Sequence, residues 1–178
     1  AFAVVAAATI LLTPSLRGSA TRFFPEPAET ATGRTLRQEL RRAAQARPYL
    51  LLNAAFFVCG FHVTLIGAYL PRYGEDLGHK DTATTALALI GLFNVFGSLA
   101  AGALGGKHSK TKLLSGIYAA RALVISVYIL LPPEPAFTLL FGAAIGLLWL
   151  STVPLTSGMV TEQFGTTHSG ALFGIVFF

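Results

Sequence analysis

Few side chains in this sequence could bind or carry anything, and those few sit inside long apolar runs. His62 lies thirteen residues into the run that starts at Tyr49, about 20 Å along a helix rising 1.5 Å per residue. An imidazole there can hold an anion or carry a proton near neutral pH. Tyr69 follows seven residues later on the same helical face. His62 and Tyr69 either line a water-filled path, or His62 bonds to a neighbouring helix. Asn94 offers an uncharged polar group that suits an interhelical hydrogen bond. Arg121 is the one charge within "LLSGIYAARALVISVYILL". No acid lies inside any apolar run, so its partner is a carbonyl, a connector carboxylate, a residue elsewhere or an anionic ligand. In "LLWLSTVPLTSGMV", Trp149, Thr152 and Thr156 fall on one face. Pro154 cannot donate to the carbonyl of Leu150, which the spacing leaves without its usual partner. Carbonyls freed beside hydroxyls can coordinate a substrate or ion, unless Ser151 or Thr152 simply repairs a kink.

These residues make no catalytic set. Ser, His and Asp do not come together, and Glu134 and Glu162 are expected in connectors on opposite sides. His79, His108 and His168 are single and lack metal-ligand spacing. Cys59 stands alone and reads as a small buried apolar residue. Neither a metal nor a cofactor is implied.

The elements that position these side chains follow from composition. The 178 residues are 53% apolar and 12% charged, against about 25% charged in soluble domains. Too few charges remain to cover a surface facing water. They are also segregated, with none over residues 1–15, 82–106 or 135–161. Runs of about 18 or more apolar residues match a hydrocarbon core of roughly 30 Å. Six segments are predicted: Ala1–Thr13, Tyr49–Leu70, Thr82–Leu104, Leu113–Leu131, Ala136 to about Met159, and one beginning near Gly170. All must be helices, because bare strand edges are costly in lipid. The second is expected to end at Pro71-Arg72, where headgroups begin.

Basic residues concentrate in alternate connectors. Residues 16–48 carry Arg17, Arg22, Arg34, Arg37, Arg41, Arg42 and Arg47, and Gly105–Lys112 carries Lys107, Lys110 and Lys112. Those connectors are predicted to be cytoplasmic. This pattern accounts for the net charge of +5 without nucleic acid as a partner; the lipid bilayer is the partner it implies. "TLRQEL" has a capping-box pattern, with Thr35 as N-cap and Gln38 three residues on. Leu36, Leu40 and Ala43 share a face, so Leu36–Ala46 is either a basic amphipathic helix at the inner membrane surface or a solvated linker. The stretch before it, "FFPEPAETATG", is expected to be mobile. Gly102/Gly106, Gly142/Gly146 and Gly170/Gly174, with Gly97/Ala101, are small-residue spacings that let helices approach closely.

Two stretches, "GFHVTLIGAYLPRYGEDLG" and "GLLWLSTVPLTSGMVTEQFGTTHSGALFGIVFF", resemble the seventh and the tenth-to-eleventh helices of major facilitator superfamily transporters. The likeness is nearest to the bacterial monocarboxylate-transporter and oxalate/formate-antiporter group. "GALGGKHSKTK" resembles a weak copy of that superfamily's loop motif G-x-L-x-D-R-x-G-R-K. Gly106 stands at the Asp position and Ser109 at the second Gly, so the Asp contact is not carried over, while Lys107 and Lys110 keep the positive charge. The Asp/Arg pair that monocarboxylate carriers have in helix eight is absent from Thr82–Leu104.

The resemblance implies an all-α integral membrane fold of the major facilitator type. Residues 1–13 would end helix six, 14–48 would form the central cytoplasmic loop, and 49–178 would be helices seven to eleven. The N-terminal half of the same chain would then be missing. It places His62, Tyr69, Trp149 and Thr152 beside a central cavity, with Asn94 and Thr156 further pathway candidates. It gives Arg121, Lys107, Lys110 and Pro154 gating or structural roles. The expected function is secondary transport of a small organic anion, monocarboxylate-like, with or without proton coupling, by alternating access in a bacterial inner membrane. An exporter of amphipathic drugs is the alternative in the same fold. A membrane sensor without flux, or a polytopic membrane enzyme, is the alternative of another class.

Overall fold

The computed structural model describes residues 35–177, and every regular element there is a helix. The expected segment Ala1–Thr13, the stretch "FFPEPAETATG" and the bases Arg17, Arg22 and Arg34 lie outside the described residues. The helices are α1 (Leu36–Gln45), α2 (Arg47–Asp76), α3 (Lys80–Gly105), α4 (Lys110–Leu130), α5 (Pro135–Leu148), α6 (Thr152–Phe164) and α7 (Ser169–Phe177). Four stretches are long and apolar enough to cross a membrane: α2, α3, α4, and α5 with α6 taken as one span over Pro135–Phe164. The architecture is the all-helical membrane bundle expected from the sequence.

Two boundaries differ from expectation. Helix α2 does not stop at Pro71 but runs through it to Asp76. Pro71 removes one N–H and frees the carbonyl of Gly67. Gly67 is exposed on the bundle, so that carbonyl is not trapped in the core. The real stop is Gly78, whose φ of +73° suits glycine. His79 N–H bonds back to the Gly74 carbonyl at 2.7 Å, and α3 starts at once. The expected connector 71–81 thus shrinks to three residues. The second difference is the fifth apolar segment, which is split in two at Trp149–Ser151.

Of the glycine pairs, only Gly142/Gly146 sits at a close helix crossing. A Cβ on Gly142 would lie 2.7 Å from the Ala86 carbonyl oxygen, and one on Gly146 would lie 2.8 Å from that of Ile90. Helices α3 and α5 therefore touch backbone to backbone, running parallel. Gly97 continues the contact: a side chain there would overlap the Leu147 carbonyl. Gly102 meets Pro154 at an ordinary 3.8 Å, Gly106 meets only the Ala103 carbonyl of its own helix, and Gly170 and Gly174 face open space among the described residues. Their spacing matched the pattern, but no neighbouring backbone comes near.

Helix α1 begins with the Thr35 backbone N–H bonded to Gln38 Oε1 at 3.0 Å. It docks on the bundle rather than lying free. Ala43 and Glu39 are buried, Arg42 stacks over the Phe164 ring at 5.7 Å, and Leu36 is left exposed. Two residues before Phe164, Glu162 pairs with Lys110. Glu162 lies within α6 rather than in a connector. Helix α1 and the Gly105–Lys112 connector thus meet one end of the bundle.

Inside, two apolar clusters are stacked along the helix axes. One, at the basic end, gathers Tyr49, Leu52, Cys59, Leu114, Tyr118, Leu155, Met159 and their neighbours. The other, at the opposite end, gathers Ile66, Leu70, Ala86, Ile90, Ile125, Phe141 and Ile145. Between them, every span carries a polar group: His62 in α2, Asn94 in α3, Arg121 in α4, and the Trp149–Thr152 break.

Candidate functional site

This polar layer is built around the broken span. In lipid each backbone group needs a partner within the protein, and a helix end leaves several without one. At the break the Trp149 N–H bonds to the Gly146 carbonyl at 3.0 Å, a tighter turn than the α-helical one. Ser151 Oγ donates back to the Leu147 carbonyl. The Leu148 and Trp149 carbonyls accept from Arg121 Nη2, the second at 2.8 Å. Across the break, the Leu150 N–H donates to Asn94 Oδ1 at 3.0 Å. The Leu150 carbonyl was expected to be freed by Pro154; instead it accepts the Val153 N–H at 3.0 Å. One turn of tighter winding repairs it. The carbonyls turned towards another helix are those of the two residues before it, Leu148 and Trp149.

Arg121 is 1% exposed, close to halfway along α4. Besides the two carbonyls, its Nη1 donates to Cys59 Sγ at 3.0 Å, and its guanidinium lies 5.7 Å from the Tyr118 ring. None of the ion pairs among the described residues involves it. A charge at mid-bilayer costs about 2.5–3.5 kcal/mol on insertion scales. Hydrogen bonds to charged groups contribute about 1.5–3 kcal/mol each, and the carbonyl end of α5 carries a partial negative charge. Two carbonyls and a helix end are therefore enough to hold this arginine without a carboxylate. Its Nε has no hydrogen-bond partner among the described residues.

The structure brings Asn94, Arg121, Trp149 and Thr152 together at the break. Thr152 is fully buried, with its hydroxyl 3.4 Å from Cys59 Sγ. The Trp149 side chain packs on the opposite-end apolar cluster, so its contribution to the break is its backbone carbonyl. His62 is 1% exposed, has a backbone partner at Val58 and feels the Arg121 charge. Thr156 is buried one turn below, and its hydroxyl has no hydrogen-bond partner among the described residues. Pro154 faces Gly102 of α3.

The others lie apart. Tyr69 shares the helical stripe of His62 but is 57% exposed, although Ile66 and Leu70 beside it on α2 are buried. It lines a cavity of about 180 Å³ with Ile66, Leu70, Tyr73, Tyr128, Ile129 and Phe141. Tyr128 stacks on Phe141 at 4.1 Å and shares a hydrogen bond with Thr138. Lys107 is exposed at the basic end. Lys110 lays its stem across Gly158 and pairs with Glu162, tying the start of α4 to the end of α6. Among the described residues no group of His, Cys, Asp and Glu could hold a metal ion.

Cys59 and Ser151 were not read as site residues from the sequence. A signal existed. Cys59 is twelve residues beyond Arg47, Arg121 eleven beyond Lys110, Asn94 eleven before Gly105 and Trp149 fifteen before Phe164. Counted from the basic end, all four fall near one depth.

Residues 1–178 match the family described as Major Facilitator Superfamily. A curated Bacillus subtilis (strain 168) protein, "Uncharacterized MFS-type transporter YcxA", is 31% identical over 144 residues, covering 75% of this chain and 34% of that protein. The chain thus spans about a third of the length of the curated relative it matches. No solved structure matches it significantly. With spans of membrane-crossing length, a bundle that is helical throughout the described residues and a family match along its whole length, this chain belongs to the Major Facilitator Superfamily.

Proposed function

We propose that this chain is the C-terminal part of a secondary transporter that moves a small organic anion, monocarboxylate-like, by alternating access with proton coupling. The observation that carries the reading is the sign of the polar layer. Among the described residues it holds Arg121 and His62, while every Asp and Glu lies at one end of the bundle or the other. A layer with cationic and protonatable groups and no carboxylate favours an anionic cargo over a cationic one. His62, buried beside that charge, is the proton-carrying candidate. The basic end faces the cytoplasm of a bacterial inner membrane on this reading. The remainder of the transporter supplies the opposite wall of the pathway.

Full-length protein in proteoliposomes, offered labelled formate, oxalate and lactate with and without a pH gradient, tests this. Uptake of at least one, raised by an inward proton gradient and lost in His62→Ala, is expected. Flux of none of them contradicts the reading.

The aromatic cavity around Tyr69 favours a second reading, export of amphipathic compounds. Its walls are tyrosine and phenylalanine rings with aliphatic neighbours, which suit an apolar ring with one hydrogen-bonding group. Dye efflux by the same proteoliposomes, without carboxylate flux, supports that reading instead.

A further inference from the structure

We infer that Arg121 is a tethered cation for the break between α5 and α6, standing where a free alkali cation would otherwise be needed. The proposal holds whatever the transporter carries.

A helix broken at membrane depth presents carbonyl oxygens at the end of a half-helix, and such ends are where transporters coordinate Na⁺ or protons. Here the ligands of such an ion are already in use. The Leu148 and Trp149 carbonyls, the last of α5, both accept from the Arg121 guanidinium. Cys59 Sγ, a third acceptor in the cluster, takes its other terminal nitrogen. No carboxylate competes, since no ion pair among the described residues involves Arg121. The guanidinium's planar fork lets one group serve several acceptors at once, which the point charge of a lysine does less well. Asn94 completes the arrangement by holding the Leu150 N–H on the other side of the break. Arg121 reaches the break from a different helix, so it fixes the bend of one span relative to another. It is a positioning residue: its hydrogen bonds go to backbone carbonyls and a thiol, while its positive charge stays in the layer.

Two consequences distinguish this role from simple packing. The closed break needs no Na⁺ or K⁺ in the wild-type protein. When the side chain is cut back, a free guanidinium ion can occupy the same carbonyls.

Cys59 is buried against Arg121 and Thr152, so its alkylation reports whether the cluster is closed. The test uses full-length protein in detergent, with N-ethylmaleimide labelling of Cys59 followed by peptide mass spectrometry. Wild-type labelling is expected to be slow and the same in sodium, potassium or choline chloride. Arg121→Ala is expected to label roughly tenfold to a hundredfold faster, the range for losing one charge-assisted hydrogen bond from the closed state. Guanidinium chloride at sub-denaturing concentration is expected to return that rate towards wild type, and sodium chloride to leave it unchanged. If Arg121→Ala does not yield folded protein, Arg121→Lys keeps the charge and is expected to label at an intermediate rate. Slower wild-type labelling in sodium than in choline overturns the proposal. So does an Arg121→Ala rate that guanidinium fails to lower, or an Arg121→Lys rate equal to wild type. None of these results depends on the identity of the cargo, so carboxylate flux can fail while this inference stands.

Discussion

The side-chain oxygen of Asn94 accepts the backbone N–H of Leu150 at 3.0 Å, joining the middle of α3 to the one place where its neighbouring span leaves the helical path. This bond comes from a different element, and it satisfies a donor that the break itself creates. The break is thus a property of three helices packed together.

Asn94→Ala leaves the Leu150 N–H without its acceptor at membrane depth. The expected loss is about 1–3 kcal/mol, the desolvation cost of an unpaired buried group. Asn94→Asp keeps an acceptor oxygen for that N–H, so it is expected to cost less than Ala. Thermal unfolding of the full-length protein in detergent checks the order; equal midpoints for Ala and wild type contradict it.

The glycines give an opposed pair. Gly146→Ala puts a methyl group 2.8 Å from the Ile90 carbonyl oxygen and 2.9 Å from its Cα. Backbone cannot yield as a side chain can, so a destabilisation of about 1–3 kcal/mol is expected. Gly102→Ala meets only Pro154 at 3.8 Å. It is expected to be neutral or stabilising by up to about 1 kcal/mol through helix propensity. Midpoints that fall together in both variants would show that the α3–α5 crossing is not the tight one.

Lys110 and Glu162 link α4 to α6 at the basic end, but Glu162 remains largely exposed. A double-mutant cycle of Lys110→Ala and Glu162→Ala is expected to give a coupling of about 0.2–1 kcal/mol, shrinking as salt is raised. Coupling several times larger, or insensitive to salt, would mean that the pair is buried by other parts of the protein.

The spans were legible because length, hydropathy and segregated charge report directly on the bilayer. Residues 82–104 became Lys80–Gly105 and 113–131 became Lys110–Leu130, each within a few residues. The capping box at Thr35 was legible because it is local. What could not be read was set by neighbours. Pro154 marks where a helix is weakened, but Arg121 and Asn94, from other helices, decide which carbonyls and amide are actually released. Cys59 looked like filler because its importance comes from a residue sixty-two positions away. Four glycine spacings looked alike, yet only Gly142/Gly146 and the contact at Gly97 face another backbone. Pro71 looked like a stop, though a proline ends a helix only where the carbonyl it frees cannot be tolerated.

The most direct test of the whole account is the side of the membrane that each connector faces. Single cysteines at Arg41→Cys, Lys107→Cys and Glu134→Cys in the full-length protein can be labelled in intact cells with an impermeant maleimide and identified by peptide mass; Cys59 is buried and should stay silent. A bundle of membrane-crossing helices with its basic connectors at one end predicts that Glu134→Cys labels from outside, while Arg41→Cys and Lys107→Cys label only after the membrane is opened. Labelling of Arg41→Cys and Lys107→Cys from opposite sides would contradict it.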